Sequence, residues 1–205
     1  MKKGYFITFE GADGCGKTTQ LELISKFLNE KNIENIKTRE PGAGNLGAKL
    51  REILLHYEGP VADECETFLY MADRAQHVQE EILPWINEGK IVLCDRYTDS
   101  TLAYQGYGRG VELEEINYLN KIATKGKKPD LTLVFDVESE VAQKRVGVNK
   151  DRLEKEGLEF HRKLRQGYLE IAKQEPERIK VINANKSIDE VFSETKKVIS
   201  EFLGL

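Results

Sequence analysis

The chain has 205 residues, enough for one α/β domain with a sizeable core but short for two domains. Its 31 Lys and Arg residues against 35 Asp and Glu residues give a formal net charge of −4, which offers no general attraction to a polyanion and argues against bulk nucleic-acid binding. The 3 cysteines fit neither a disulfide framework nor a zinc site, and the apolar runs are too short to cross a membrane. We therefore expect a cytoplasmic protein without a signal peptide.

The first element is an apolar run from Tyr5 to Phe9, followed by a glycine-rich loop and then by a helical pattern. The loop fits the spacing G-x-x-x-x-G-K-[ST] and consists of Gly11, Ala12, Asp13, Gly14, Cys15, Gly16, Lys17 and Thr18. Its glycines allow backbone N–H groups to close around a phosphate, and the helix that begins near Lys17 adds its positive end. We predict that Lys17 reaches the β- and γ-phosphates of a nucleotide and that Thr18 offers its hydroxyl to Mg²⁺.

A short strand around Ile36 leads into a loop, 39–44, in which Pro and Gly end regular structure. Such loops lie at the sheet edge where α/β proteins bind ligands, so Arg39 is a candidate binding residue. A solvated turn is the alternative. The helix predicted from Leu46 to Tyr57 has Arg51 on its surface. Its predicted inward residues are Leu50, Ile53 and Leu54.

The next predicted helix, from about Asp63 to Ile82, places Tyr70 and Arg74 on one face because they are four residues apart. A ring and a planar group with several donors together suit a flat heterocycle with carbonyl oxygens. A core tyrosine beside a surface arginine is the alternative. We predict a structural role for His77, one turn further along.

A continuous apolar run from Ile91 to Cys94 is typical of a strand buried on both faces, and it ends in Asp95-Arg96-Tyr97. An Asp at the carboxyl end of a central strand is placed to hold Mg²⁺. Arg96 would point into the same crevice, where its fork of donors could grip a phosphate. Segment 100–110 alternates polar and aromatic residues, which predicts a pocket lining rather than a core element.

The remaining chain continues to alternate strands and helices, and the last helix opens with a capping box at Ser187 and Glu190. The charged, glycine-led segment 147–154 predicts either a flap that closes over phosphates or an exposed connector. Five strand and helix alternations predict a single α/β domain over 1–205, with a parallel sheet, helices on both faces and right-handed crossovers. The ligand crevice is expected at the carboxyl ends of the strands.

The motifs in this order closely resemble those of the thymidylate kinase family. They are Phe9-Glu10-Gly11, Asp13-Gly14, Gly16 to Gln20, Arg39 to Gly42, Ala72 to His77, Asp95 to Tyr97, Ser100 to Gly106, Lys128 to Asp130, Asp151 to Glu154 and Gly167-Tyr168. The resemblance implies the three-layer P-loop nucleoside monophosphate kinase fold with a five-stranded parallel sheet. It also implies transfer of the ATP γ-phosphoryl group to deoxythymidine monophosphate (dTMP), giving the diphosphate (dTDP), with Mg²⁺ and a homodimeric assembly.

The resemblance also implies roles for individual residues. Arg74 would hydrogen-bond a thymine carbonyl, Tyr70 would stack on the base in place of the usual phenylalanine, and Arg96 would bind the acceptor phosphate. The other substrate-binding candidates are Arg39, Arg51, Thr101, Tyr104 and Gln105.

Members of the family carry the arginine that neutralises the transferred phosphoryl group either in the phosphate loop or in the flap. Because this loop offers Asp13 and no arginine, the resemblance implies the flap type, with Arg152 the first candidate and Arg145 the second. Together with Lys17, Asp13 and Arg96, such an arginine would complete the catalytic set.

Two other readings stay open at this point. A deoxynucleoside kinase would use an acceptor without phosphate, and a nucleotide-dependent switch would hydrolyse slowly and signal to a partner. The glycines and Lys17 around Cys15 also suggest a thiol with a lowered pKa, whose alkylation ATP should prevent. Cys65 and Cys94 are predicted to be packing residues.

Overall fold

A computed structural model describes residues 3–147 and 151–205, and the strands in these ranges form one five-stranded parallel sheet. The strands are β1 (Tyr5–Glu10), β2 (Asn35–Arg39), β3 (Ile91–Asp95), β4 (Leu131–Asp136) and β5 (Ile179–Asn183). Their order across the sheet is β2-β3-β1-β4-β5, and all neighbours run parallel. The predicted fold class is therefore confirmed, and the carboxyl ends of the strands meet at one edge.

The α-helices in the described ranges connect and cover these strands. They are α1 (Lys17–Glu30), α2 (Gly44–His56), α3 (Asp63–His77), α4 (Leu83–Asn87), α5 (Thr98–Thr101), α6 (Leu113–Ala123), α7 (Ser139–Arg145), α8 (Leu158–Gln174) and α9 (Ile188–Leu203). A π-helical turn, Val78–Ile82, joins α3 to α4, and a longer one, Leu102–Gly108, continues α5. None of the helices in the described part of the chain is both long and apolar enough to span a membrane.

Side chains of the central strands alternate between the two faces of the sheet, as the two-residue repeat of a strand requires. Ile7, Phe9 and Leu93 pack with α1 and α9 on one face, where the rings of Phe9 and Phe135 stack at 5.9 Å. On the other face, one cluster holds Phe6, Val92 and Cys94, and a second holds residues of β4, α8 and the turn after α5. The sheet therefore has hydrophobic layers on both sides.

Several local predictions differ from the structure. Ile53 is 46% exposed rather than inward, because α2 packs on its neighbours mainly through Leu54 and Leu55. Cys65, predicted to pack, is exposed on α3, whereas Cys94 is buried as expected. The segment after Arg96 does line the pocket, but it is also a core element, because Ala103 and Tyr104 are buried in a hydrophobic cluster, and it is helical through α5 and Leu102–Gly108. Its inward polar residues obscure the apolar repeat that would have indicated a helix.

Candidate active site

The phosphate loop connects β1 to α1 at the centre of the sheet edge. Gly11, Gly14 and Gly16 have φ values of 136°, 79° and 95°, so the backbone occupies the left-handed region that favours glycine. At Gly11 the space is also closed, because a Cβ atom would lie 2.7 Å from the carbonyl oxygen of Phe135. The loop can therefore bring its N–H groups to a phosphate only with glycine at these positions.

Lys17 begins α1, and its side chain folds back over the loop. Its Nζ donates to the carbonyl oxygens of Gly11 at 3.0 Å and Ala12 at 3.1 Å, and the residue is only 6% exposed. These bonds hold the ammonium group against the loop, and its contact with the phosphates of a nucleotide stays a prediction.

Thr18 and Asp95 lie side by side, because the pairing of β1 with β3 sets Phe9 opposite Asp95. The Thr18 hydroxyl donates to Oδ2 of Asp95 at 2.9 Å. Oδ1 of Asp95 is buried and has no hydrogen-bond partner among the described residues. A hydroxyl and a carboxylate with an open oxygen match the few protein ligands that Mg²⁺ takes when phosphates and water supply the others. The pair therefore fits a magnesium ion.

Arg96 follows β3 with φ of 71°, a left-handed conformation that is rare for a residue with a side chain. Its Nη1 donates to the Gly11 carbonyl at 3.0 Å, and its Nη2 donates to Oδ1 of Asp13 at 2.6 Å. The Tyr104 hydroxyl donates to the other oxygen of Asp13 at 2.9 Å. Burial alone would raise the pKa of Asp13, but Arg96 and Lys17 hold it well below its usual range. Asp13 is therefore ionised and orients Arg96 across the phosphate loop.

Two neighbouring cavities open at this edge. The phosphate crevice has a volume of about 320 Å³, and its lining includes Lys17, Thr18, Arg39 and Asp95. We call the cavity beside it the acceptor pocket after its predicted role, and it is lined by Pro41, Leu55, Tyr70, Arg74, Ser100, Thr101, Tyr104, Gln105, Asp151 and Leu153. The cavities share Asp13, Glu40, Arg51 and Arg96. A molecule in one cavity therefore meets the same charged groups as a molecule in the other.

Arg74 is fixed at the back of the acceptor pocket, where it is only 2% exposed. Its Nε donates to Glu40 at 2.7 Å, and its Nη1 donates to the Thr101 hydroxyl at 2.8 Å and to Oδ1 of Asn120 at 2.6 Å. Burial opposes the charge of Arg74, but Glu40, Tyr97 and Glu10 together outweigh it, and the pKa of Arg74 is raised. His77 supports Glu40 from behind at 2.9 Å, as its predicted structural role requires. The pocket therefore presents a rigid, charged donor group to its ligand.

Sequence reasoning missed Glu40 and Asn120, both of which hold Arg74. Glu40 lies inside the motif 39–42, so its place there was a usable signal, but its burial and its contact with Arg74 appear only in the fold. Asn120 sits on α6 among unremarkable polar residues, and no local pattern marks it.

The remaining substrate candidates are placed as follows. Arg51 donates to the Pro41 carbonyl at 2.8 Å and lines both cavities, whereas Arg39 lines only the phosphate crevice. Tyr70 lines the acceptor pocket. The amide nitrogen of Gln105 is engaged with Glu66 at 2.8 Å, so Gln105 shapes the pocket from a fixed position.

The structure does not bring Arg152 together with Lys17. The Arg152 guanidinium is ion-paired with Glu66 and donates to the Leu54 carbonyl at 3.1 Å, beside the acceptor pocket. Arg145 lies near the phosphate loop, in a cavity it shares with Gly14 and Gly16, and donates to the Ala184 carbonyl at 3.1 Å. Which arginine serves the flap role stays a prediction. Residues 148–150 of the predicted flap lie outside the described residues.

The hypothesis of a reactive Cys15 is wrong in its premise. Cys15 is only 2% exposed, and burial raises the pKa of its thiol despite the opposing charge of Lys17. The local sequence shows the positive charge of Lys17, but it does not show that the Cys15 side chain packs into the apolar core. Cys15 is therefore an unreactive packing residue of the loop.

The geometry can be compared with known proteins. Residues 9–195 match the family model described as Thymidylate kinase. Thymidylate kinase of Carboxydothermus hydrogenoformans is 50% identical over 204 residues, which cover 98% of this chain and 100% of that protein. Thymidylate kinase of Clostridium novyi is 48% identical over 201 residues, with coverage of 96% and 98%. The crystal structure of thymidylate kinase from Ehrlichia chaffeensis is similar with a TM-score of 0.81 at 35% identity, and covers 97% of this chain and 99% of that chain.

Proposed function

The chain belongs to the thymidylate kinase family and phosphorylates dTMP with ATP to give dTDP, and from this premise we propose which residues carry out the transfer. The main support is that the two arginines shared by the phosphate crevice and the acceptor pocket are Arg51 and Arg96. Two anionic nucleotides can meet end to end there, because cations at the junction offset their repulsion.

The donor nucleotide binds through the phosphate loop. Backbone N–H groups between Gly11 and Thr18 surround its β-phosphate, and Lys17 donates to the β- and γ-phosphates. Arg145 extends this site, since it lies beside Gly14 and Gly16. Thr18 and Asp95 hold Mg²⁺, which when bound offsets the negative charge of the transferred group. The open oxygen of Asp95 supports this assignment.

The acceptor base binds against Arg74, Thr101 and Tyr70. The hydrogen bonds of Arg74 to Glu40, Thr101 and Asn120 use Nε and Nη1 and leave Nη2 for a carbonyl oxygen of thymine. An arginine cannot accept a hydrogen bond, so the amino group of cytosine would face it donor to donor. Tyr70 stacks on the base and Tyr104 borders the deoxyribose. The pocket therefore selects thymine by hydrogen bonding as well as by shape.

Transfer needs no covalent intermediate, because phosphoryl transfer depends mainly on positioning and on stabilising the charge of the transferred group. Arg96 binds the acceptor phosphate, with Arg39 and Arg51 beside it, and Asp13 keeps Arg96 in place. Segment 147–154 acts as the flap. Arg152 could reach the transferred group only after it leaves Glu66 and the Leu54 carbonyl.

A screen of acceptors tests this function against its alternatives. We expect dTMP to be phosphorylated with a kcat/KM at least ~100-fold above that of dCMP, because the amino group of cytosine cannot pair with Arg74. Deoxythymidine should be a poor acceptor, since it offers Arg96 no phosphate. The measurement is coupled spectrophotometric detection of ADP, with an acceptor-free control. Equal use of deoxythymidine would favour a nucleoside kinase, and hydrolysis of ATP at the same rate without acceptor would favour a switch.

The family resemblance also implies a homodimer, and an exposed apolar face supports it. Helix α3 packs between α2 and α6. The exposed large apolar side chains of these helices, which we propose form one face, are Leu46 at 47%, Ile53 at 46%, Phe68 at 57%, Tyr118 at 66% and Ile122 at 60% exposure. A patch of this kind on adjacent helices is typical of a protein interface. We propose that it packs against its own copy around a two-fold axis.

Introducing charge on this face should separate the protomers. The double variant Phe68→Glu and Ile122→Glu is expected to sediment as a monomer, because each substitution buries an unpaired carboxylate in the dimer. Analytical ultracentrifugation measures the change. The matched control is Val181→Glu, which is 43% exposed on the edge strand β5 and should leave the mass unchanged. An unchanged mass for the double variant would contradict this interface.

We propose a cytoplasmic location on the basis of the cysteines. Cys15, Cys65 and Cys94 are all free thiols in the structure. A reducing compartment keeps such thiols unpaired.

A further inference from the structure

Glu10 is a completely buried carboxyl group at the end of β1, and the transfer described above does not use it. Its Oε1 accepts a hydrogen bond from the backbone N–H of Tyr97 at 2.7 Å. Its Oε2 accepts from the Ser100 hydroxyl at 2.5 Å and from the Tyr168 hydroxyl at 3.3 Å. A charge buried this deeply is costly, so three donors on one carboxylate indicate a specific role.

The partners of Glu10 all contact Arg96 or adjoin it. Nη1 of Arg96 lies 3.3 Å from the Ser100 hydroxyl and 3.3 Å from the Tyr168 hydroxyl, and these two hydroxyls are 2.8 Å apart. Tyr97, whose N–H binds Glu10, directly follows Arg96 in the chain. Glu10 is therefore connected to Arg96 by two routes. The Tyr97 N–H links it to the backbone next to Arg96, and the Ser100 and Tyr168 hydroxyls link it to the Arg96 guanidinium.

The backbone at Arg96 needs such support. Its φ of 71° is a strained conformation for a non-glycine residue, and it persists only where the surroundings enforce it. The N–H of Arg96 donates to the Phe9 carbonyl at 3.0 Å, immediately before Glu10. The end of β1 therefore binds two consecutive backbone N–H groups, first through a main-chain oxygen and then through the Glu10 carboxylate.

We propose that Glu10 is a positioning residue for phosphoryl transfer, which as a carboxylate holds Arg96 toward the acceptor phosphate through Tyr97, Ser100 and Tyr168. This inference rests on the proposed role of Arg96 in binding that phosphate. It assigns Glu10 no contact with substrate. If the inference holds, loss of the Glu10 charge lowers the rate of transfer only by disturbing the position of Arg96.

The protonation state of Glu10 gives the inference a second readout. Burial raises the pKa of Glu10 to about 7, with Asp99 adding to the shift, while Ser100, Arg96 and the Tyr97 N–H oppose it. The ionisable groups that interact with Glu10 are Arg74, Cys94, Arg96, Asp99 and Tyr168, and Arg178 pairs with Asp99 at 2.7 Å. A protonated Glu10 would have to donate one hydrogen to the Ser100 or Tyr168 hydroxyl, whereas only the carboxylate accepts from both hydroxyls and from the Tyr97 N–H together.

Activity and stability should then change in opposite directions with pH. Because the pKa of folded Glu10 is raised above its unfolded value, its contribution to stability is fully present at low pH and is lost as pH rises through about 7. Positioning of Arg96 improves over the same range as the carboxylate forms. A purely structural role would make activity follow stability instead.

A double-mutant cycle between Glu10 and Arg96 tests the inference. Glu10→Gln is expected to lower kcat/KM for dTMP by about tenfold, because one oxygen that accepts from hydroxyl donors is lost. In the Arg96→Ala background the same change should lower it by less than about twofold, since interacting sites are not additive. The KM for ATP should not change. Equal losses in both backgrounds would overturn the inference.

The pH dependence provides the second measurement. The ratio of wild-type to Glu10→Gln kcat/KM should rise from near one at about pH 5.5 to about ten at about pH 8. Asp73, whose pKa is also raised to about 7, remains in both proteins and cancels in the ratio. A ratio that is flat across this range would overturn the inference.

Control variants separate positioning from loss of the fold. Asp130 accepts the Phe6 N–H at 2.7 Å at the other end of β1, so Asp130→Asn removes a similar anchor without a path to Arg96. We expect it to leave the KM for dTMP unchanged. If Glu10→Gln does not fold, Ser100→Ala breaks the same path and should show the same loss of additivity with Arg96→Ala.

The outcomes also distinguish this inference from the proposed function. Retention of wild-type activity by Arg96→Ala would show that the role of Arg96 itself is wrong. Loss of activity in Arg96→Ala together with wild-type activity in Glu10→Gln would leave the role of Arg96 intact and overturn only that of Glu10.

Discussion

Replacing Arg96 with alanine is expected to lower kcat/KM for dTMP by at least ~100-fold, because it removes a donor that stabilises charge in the transition state. The group is already in place, since Asp13 fixes Nη2 at 2.6 Å and the Gly11 carbonyl fixes Nη1 at 3.0 Å. Arg96→Lys should also be poor. An ammonium group is a point charge and cannot make both bonds of the guanidinium fork.

Steady-state kinetics with dTMP as the varied substrate measure this effect. The control is Arg162→Ala, since Arg162 is 62% exposed and pairs with Glu140 on the surface between α7 and α8. It should retain wild-type kinetics. A loss of less than about tenfold for Arg96→Ala would contradict the assignment, because a single oxyanion donor usually contributes more.

Replacing Lys17 with alanine is expected to lower kcat by at least ~100-fold, because no other side chain in the phosphate loop carries a positive charge to the β- and γ-phosphates. Lys17 is 6% exposed, and the carbonyls of Gly11 and Ala12 hold its ammonium group beside the loop.

Turnover at saturating ATP and dTMP measures the Lys17 effect and separates it from weakened binding. Lys26→Ala, on the exposed side of the same helix, is the matched control and should keep the wild-type kcat. If Lys17→Ala changed only the KM for ATP, the lysine would bind ground state and transition state equally and its catalytic role would be wrong.

The sequence was sufficient to predict those parts of the site that depend on backbone topology. Parallel strands end at one edge, so a phosphate loop after β1 and an Asp after β3 had to meet, and Thr18 does contact Asp95. The five strands and the capping box of α9 are confirmed for the same reason, because local patterns determine them.

What the sequence did not predict depends on side chains that converge from distant segments. Arg74 donates hydrogen bonds to Glu40 in the loop after β2 and to Asn120 on α6, and no local sequence pattern links these positions. The prediction of a lowered thiol pKa at Cys15 failed for a related reason. The charge of Lys17 is visible two residues away, but the burial that dominates the pKa of the thiol comes from the folded core.

Arg152 illustrates how a buried acid can redirect a side chain that a motif assigns elsewhere. Glu66 is 1% exposed and accepts from Gln105 as well as pairing with Arg152. Because a buried carboxylate is costly without a paired cation, Glu66 binds Arg152 strongly and keeps it away from the phosphate loop.

The acceptor pocket has walls of two different origins. Arg74 and Thr101 belong to helices packed on the sheet, whereas Asp151 and Leu153 come from the segment that precedes α8. If Arg74 binds the base as proposed, the hydrogen-bonding choice of base lies with the packed helices, whereas the room for bulkier nucleotide analogues depends on the other wall. Substitution of Leu153 by a smaller residue would then widen tolerance for enlarged substrates without changing the proposed contact of Arg74 with the base.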